Sequence, residues 1–123
     1  MEVFFVSKRI LVVDDEEPVK FLLTEELKEE GYDVDSASSG EEAIEKIKNS
    51  NYDLVSLDIE MPGMNGLEAA TKIREIAPET KVILATAYSH YKQELLSWAA
   101  DAYIVKSSDL SEYKKVIKEL LGR

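Results

Sequence analysis

Four consecutive apolar residues, Ile10-Leu11-Val12-Val13, run without a break into Asp14-Asp15. A strand with one face in water alternates apolar and polar residues. An unbroken run instead implies a strand covered on both faces, as in parallel sheets. The pattern recurs: Leu54-Val55-Ser56-Leu57 ends at Asp58, Val82-Ile83-Leu84-Ala85 at Thr86, and Ala102-Tyr103-Ile104-Val105 at Lys106. Tyr32 to Ala37 reads as a shorter second strand, whose Asp33 and Asp35 suit a sheet edge where charge blocks unwanted pairing.

Helical patterns separate these runs. Glu16-Glu17-Pro18 opens a first turn, Val19, Leu22, Leu23 and Leu27 follow at helical spacing, and Gly31 supplies the stop. Ser39-Gly40-Glu41-Glu42 reads as a capping box for a second helix with Ala43, Ile44 and Ile47 turned inward. After the Pro62-Gly63-Met64-Asn65-Gly66 turn, Leu67, Ala70, Ile73 and Ala77 give a third helix that must stop before Pro78. A less apolar helix is expected at about residues 89–98. Ser107-Ser108-Asp109 offers caps for a last helix carrying Leu110, Tyr113, Val116, Ile117, Leu120 and Leu121 on one face. The sum is (βα)5, a parallel sheet sandwiched between two helical layers.

The 123 residues fit one domain, 1–123, with residues 1–7 as a frayed extension of the first strand. The chain ends at Arg123, right after the last helix, and so reads as stand-alone. Its net charge of −10 argues against a nucleic-acid or anionic membrane surface as the main partner, and suits a divalent cation or a basic protein patch. No cysteine is present, and no apolar run approaches membrane-spanning length. The start, Met1-Glu2-Val3-Phe4-Phe5, is too short and too acidic for a signal peptide, so the expected compartment is the cytoplasm.

In parallel α/β sheets, ligands bind outside the carboxyl ends of the strands. Asp14 and Asp15, Asp58, Thr86 and Lys106 stand at those ends, while the second strand offers only Ser38 or Ser39. Each residue alone has an ordinary reading. Asp14 could cap a helix, Asp58 could prepare the Pro62-Gly63 turn, Thr86 could cap the next helix, and Lys106 could be a solvated surface lysine. Together they converge on one pocket. Three carboxylates there must be neutralised, and Mg²⁺ prefers such hard oxygen ligands. Lys106 supplies a point charge suited to phosphate, and Thr86 a hydroxyl donor. This set fits phosphoryl transfer onto an oxygen nucleophile, where positioning and charge neutralisation do most of the work.

The chain resembles the receiver domains of two-component response regulators, the CheY-like family, over residues 8–121. The resemblance rests on Ile-Leu-Val-Val-Asp14-Asp15, on Leu57-Asp58-Ile59-Glu60-Met61-Pro62-Gly63-Met64-Asn65-Gly66, on Ala85-Thr86-Ala87-Tyr88, and on Ala100-Asp101-Ala102-Tyr103-Ile104-Val105-Lys106. It implies a flavodoxin-like fold with strand order 2-1-3-4-5. It further implies that Asp58 accepts a phosphoryl group from the phosphohistidine of a sensor histidine kinase or a histidine phosphotransfer protein. Asp15, Asp58 and the backbone carbonyl of Glu60 would hold Mg²⁺, with Asp14 reaching it through water. Lys106 would pair with the phosphoryl oxygens. Thr86 and Tyr103 would form a switch pair that re-sets the surface made by the helix after Thr86, the fifth strand and the last helix. Trp98, Tyr91 and Tyr113 lie near that surface as candidate anchors for a downstream protein. The chain would be a monomer or a phosphorylation-dependent dimer.

Three positions depart from the family pattern, of which Asn65, in place of a common aspartate, should matter little. The lysine is usually followed by a cis proline, whereas here the pair is Lys106-Ser107. A cis bond without proline costs about 3–4 kcal/mol, so the loop either keeps that strain or takes a trans path. Ala99 stands where glycine is usual. A binding module of the same fold that takes no phosphate is the alternative reading, with Ser107 as its support. Aspartyl phosphatases need a second aspartate two positions after the nucleophile, and Glu60 stands there instead. A flavin carrier would need a Ser/Thr/Gly-rich phosphate loop after the first strand.

Overall fold

The computed structural model describes residues 7–87, 99–107 and 109–122. Five strands, β1 (Arg9–Val13), β2 (Asp33–Ala37), β3 (Leu54–Asp58), β4 (Lys81–Thr86) and β5 (Ala102–Val105), form one parallel sheet in the order β2-β1-β3-β4-β5. Helices α1 (Glu17–Glu29), α2 (Gly40–Asn49), α3 (Gly66–Ile76) and α4 (Ser111–Leu121) cover it. The expected helix at residues 89–98, with Tyr88, Tyr91 and Trp98, lies outside the described residues.

The unbroken apolar runs do what their composition requires. Leu11, Val13, Val55, Leu57, Val82 and Leu84 face α2 and α3. The alternate residues Ile10, Val12, Leu54, Ile83 and Ile104 face α1 and α4. This is the expected three-layer flavodoxin-like sandwich.

Helix ends modify the sequence reading in three places. Ser39 accepts from the Glu42 N–H at 3.1 Å, but the Glu42 carboxylate accepts from Ser38 N–H, one residue too early for a reciprocal box. The reciprocal box is at α3, where the Asn65 side chain accepts from Glu68 N–H and the Glu68 side chain from Asn65 N–H; such a cap is worth about 1 kcal/mol. At α4 the expected cap is not made: the N-cap is Leu110 with no side-chain cap bond, Asp109 accepts from the Ser111 N–H at 2.9 Å from one residue earlier, and the Ser107 hydroxyl donates to the Asp109 carbonyl.

Asp33 and Asp35 do lie on the edge strand, and both are paired. The Arg9 guanidinium bridges them at 3.2 and 3.0 Å and lies 4.6 Å over the Tyr52 ring, whose hydroxyl donates to Asp35. This clamp sits at the amino-terminal end of the strands, opposite the aspartates that follow β1 and β3.

Candidate functional site

The turn after β1 places Asp14 by local chemistry. Its Oδ1 accepts from Glu16 N–H at 2.9 Å, two residues on, which makes Asp14 a turn residue but not a helix cap: the N-cap of α1 is Glu16, and no side chain caps that helix. Its Oδ2 serves another purpose: it accepts from Lys106 Nζ at 2.6 Å, across the sheet from β5. Asp14 is almost fully buried.

Asp58 ends β3 at 5% exposure. Its Oδ1 accepts from Glu60 N–H at 3.3 Å and lies 3.2 Å from Lys106 Nζ. Lys106 is itself pinned to β4, because its N–H donates to the Thr86 carbonyl at 2.6 Å. No peptide bond among the described residues is cis. The Lys106-Ser107 bond therefore takes the trans path, and the ammonium still reaches both carboxylates.

Thr86 is fully buried at the end of β4. Tyr103 pairs in register with Leu84, and Thr86 with Val105. Strand alternation thus puts the Thr86 and Tyr103 side chains on the same face of the sheet, on diagonal positions of adjacent strands. Tyr103 packs against the core cluster of that face, which also holds the buried Ala99, a residue whose backbone needs no positive φ.

Carboxylate oxygens of Asp14, Asp15 and Asp58 lie within 4.8 Å of one another. Asp15 Oδ1 is buried and has no hydrogen-bond partner. A buried carboxylate oxygen without a partner is costly, and in a cluster of like charges it calls for a cation. Lys106 answers only Asp14 and Asp58. Oxygen ligands of this type and number fit Mg²⁺.

The electrostatics follow from burial. Desolvation pushes the Asp58 carboxyl up to about 6; Lys106 opposes the push and the charge of Asp14 adds to it. Burial alone would lower Lys106, but its hydrogen bond to Asp14 and the charges of Asp14 and Asp58 prevail and hold it above the ordinary lysine value.

Strand β2 does not contribute to this cluster as expected. Ser38 bonds to Lys20 and Glu17, and Ser39 caps α2. Two relationships around the site were missed. The α3 start approaches the Asp58 backbone so closely that only glycine fits at 66. Below the carboxylates, Tyr113 is not the surface anchor expected of it: its hydroxyl donates to Ser56 Oγ at 2.7 Å with both residues buried. Burial raises the Tyr113 phenol, its bond to Ser56 pulls the other way, and the charge of Asp14 adds to the rise. The signal for the second was a serine inside an otherwise apolar strand run.

Residues 10–118 match the response regulator receiver domain family. The chain belongs to that family. The receiver domain is 41% identical over 117 residues to the transcriptional regulatory protein ResD of Bacillus subtilis, covering 94% of this chain and 48% of ResD. It thus spans about half the length of that curated relative. Among solved structures, the response regulator protein TrrA of Thermotoga maritima in complex with Mg²⁺-BeF is 59% identical, with a TM-score of 0.88 over 93% of the receiver domain and 99% of the TrrA chain. A complex of the histidine kinase ThkA with TrrA matches at 58% identity and a TM-score of 0.86, covering 93% of this chain and 98% of that one.

Proposed function

We propose that Asp58 is the phosphoacceptor of this receiver domain, and that a sensor histidine kinase or a histidine phosphotransfer protein supplies the phosphoryl group. The observation that carries this reading is Lys106 Nζ, which lies 3.2 Å from Asp58 and 2.6 Å from Asp14 beside an Asp15 oxygen with no partner. The similar TrrA was solved with Mg²⁺-BeF and in complex with ThkA, which supports the same reading.

An Asp58 oxygen attacks phosphorus, the P–N bond of the phosphohistidine breaks, and the imidazole leaves with the electron pair and is protonated. The product is an acyl phosphate on Asp58. Asp15, Asp58 and the Glu60 carbonyl would hold Mg²⁺ directly, and Asp14 through water. When bound, that ion neutralises the carboxylates and the charge spread over the transferring oxygens. Glu60 N–H and Lys106 orient the Asp58 carboxylate, and Lys106 also meets the phosphoryl oxygens as a point charge.

Thr86 and Tyr103 then act as the switch pair. The doubly charged phosphoryl group offers the Thr86 hydroxyl a stronger acceptor, and Tyr103 on the same face follows the space that opens. The result is a population shift of the surface around β5 and α4, read by a downstream protein or by a second copy in a phosphorylation-dependent dimer. The chain is a signalling phosphoacceptor in the cytoplasm that takes part in its own Mg²⁺-dependent phosphorylation and dephosphorylation. Among the described residues no helix is long and apolar enough to cross a membrane. Serine after Lys106, the support for a module that takes no phosphate, leaves the lysine in contact with Asp58.

The test is to incubate the protein with acetyl phosphate and Mg²⁺ and measure intact mass. One phosphoryl adduct is expected on the wild type and none on Asp58→Asn. An unmodified wild type, or an adduct retained by the variant, overturns the reading.

A further inference from the structure

We propose that the Tyr113–Ser56 hydrogen bond is a positioning pair that couples the charge held at Asp58 to the seating of α4. The inference rests on Asp58 being the phosphoacceptor. The Tyr113 hydroxyl and Ser56 Oγ meet at 2.7 Å among Ile10, Val12, Leu54, Ile83 and Ile104. Packing alone gives no reason for two hydroxyls there. An apolar pair of the same shape would be near neutral for stability, and losing either partner strands the other.

Their position gives the reason. Ser56 pairs in register with Val12, so strand alternation puts the two on the same face as Asp58 and Asp14. Tyr113 therefore bonds one side-chain layer, about 7 Å, below the carboxylates. Tyr113 also lines a cavity of about 20 Å³ together with Leu23, Ala85, Ile104, Lys106 and Ser107. That is room for about one water. When Asp58 carries a phosphoryl group, Lys106 must shift to meet the new oxygens, and the free space beside it is also the free space beside Tyr113. An apolar contact would slide under such a shift. A buried hydrogen bond is either made or broken, which turns a small displacement at the site into a discrete change in how α4 is held.

The test uses the full chain with beryllofluoride and Mg²⁺ as the phosphoryl stand-in, on wild type, Tyr113→Phe, Ser56→Ala and the double variant. Calorimetry reads beryllofluoride binding, and amide hydrogen exchange reads Val116, Ile117 and Leu120 with and without it. In the wild type, binding is expected to change exchange at these amides about fivefold or more, and in either single variant less than about twofold, with beryllofluoride still bound. The double variant should match either single one, because the bond is already lost; effects that add would mean lost packing and would overturn the proposal. Tyr113→Phe with the wild-type response overturns it, as does a wild type whose α4 exchange ignores bound beryllofluoride. A wild type that binds no beryllofluoride overturns the phosphoacceptor reading as well.

Discussion

A Cβ placed on Gly66 would stand 2.2 Å from the carbonyl oxygen of Asp58. The contact is with backbone, so no side chain can swing aside to relieve it. Gly66 N–H also donates to the Ile59 carbonyl at 3.1 Å, which fastens the first turn of α3 to the strand end. Gly66→Ala must therefore displace either α3 or the peptide that carries Asp58. The expected cost is about 1–3 kcal/mol, read by urea unfolding, with slower phosphorylation by acetyl phosphate than in the wild type. An alanine variant with wild-type stability and rate would show that this close approach does not fix Asp58.

Asp58 is destabilising when charged. Its folded pKa of about 6 lies above the ordinary carboxylate value, mainly through burial. A group raised in this way contributes its stability below the unfolded pKa and loses it as pH rises through the folded value. In metal-free buffer the wild type should thus weaken between about pH 4 and pH 6 by up to about 3 kcal/mol from this group alone. Asp58→Asn has no such loss. It should be the more stable protein at pH 7 and converge with wild type near pH 4, and urea unfolding across that range checks the sign.

Lys106 holds two buried carboxylates, so its removal leaves both uncompensated. Lys106→Met is expected to cost about 2–4 kcal/mol at neutral pH without metal. Millimolar Mg²⁺ should restore part of that stability, because the cation replaces the missing charge; thermal unfolding with and without the ion reads this directly. Phosphorylation by acetyl phosphate should fall even in saturating Mg²⁺.

Asp101 tests the opposite sign of pH dependence. Burial would raise it, but the Val82 N–H at 2.8 Å and Arg74 at 2.9 Å outweigh burial and hold it below the ordinary range. Its contribution is present above the unfolded pKa and is lost as pH falls through the folded one. Asp101→Asn should cost about 1 kcal/mol at pH 7, discounted for its exposure, and the gap should close as acid protonates the folded carboxylate.

The runs Ile10–Val13 and Val82–Ala85 announced strands covered on both faces, and the polar residue after each run announced the rim. Both helical layers and the meeting of Asp14, Asp15, Asp58 and Lys106 follow from those patterns, whereas the sheet order was implied only by the family resemblance. Pairings between distant segments were less legible. Nothing near Ser56 in sequence points to Tyr113, and an acidic edge strand reads the same whether Asp33 and Asp35 repel neighbours or grip Arg9. The Glu42 side chain, given a choice of two amides one residue apart, took Ser38; local geometry decides that, and composition does not.

The Arg9 clamp has a consequence for how such a chain can change over time. It fastens β2 to β1 and Tyr52 at the pole of the sheet opposite Asp14, Asp15 and Asp58. The edge-strand fastening and the Asp14–Asp15–Asp58 cluster thereby stand at opposite ends of the same strands. Loops at the carboxylate pole can change while the clamp keeps the edge strand in place at the other.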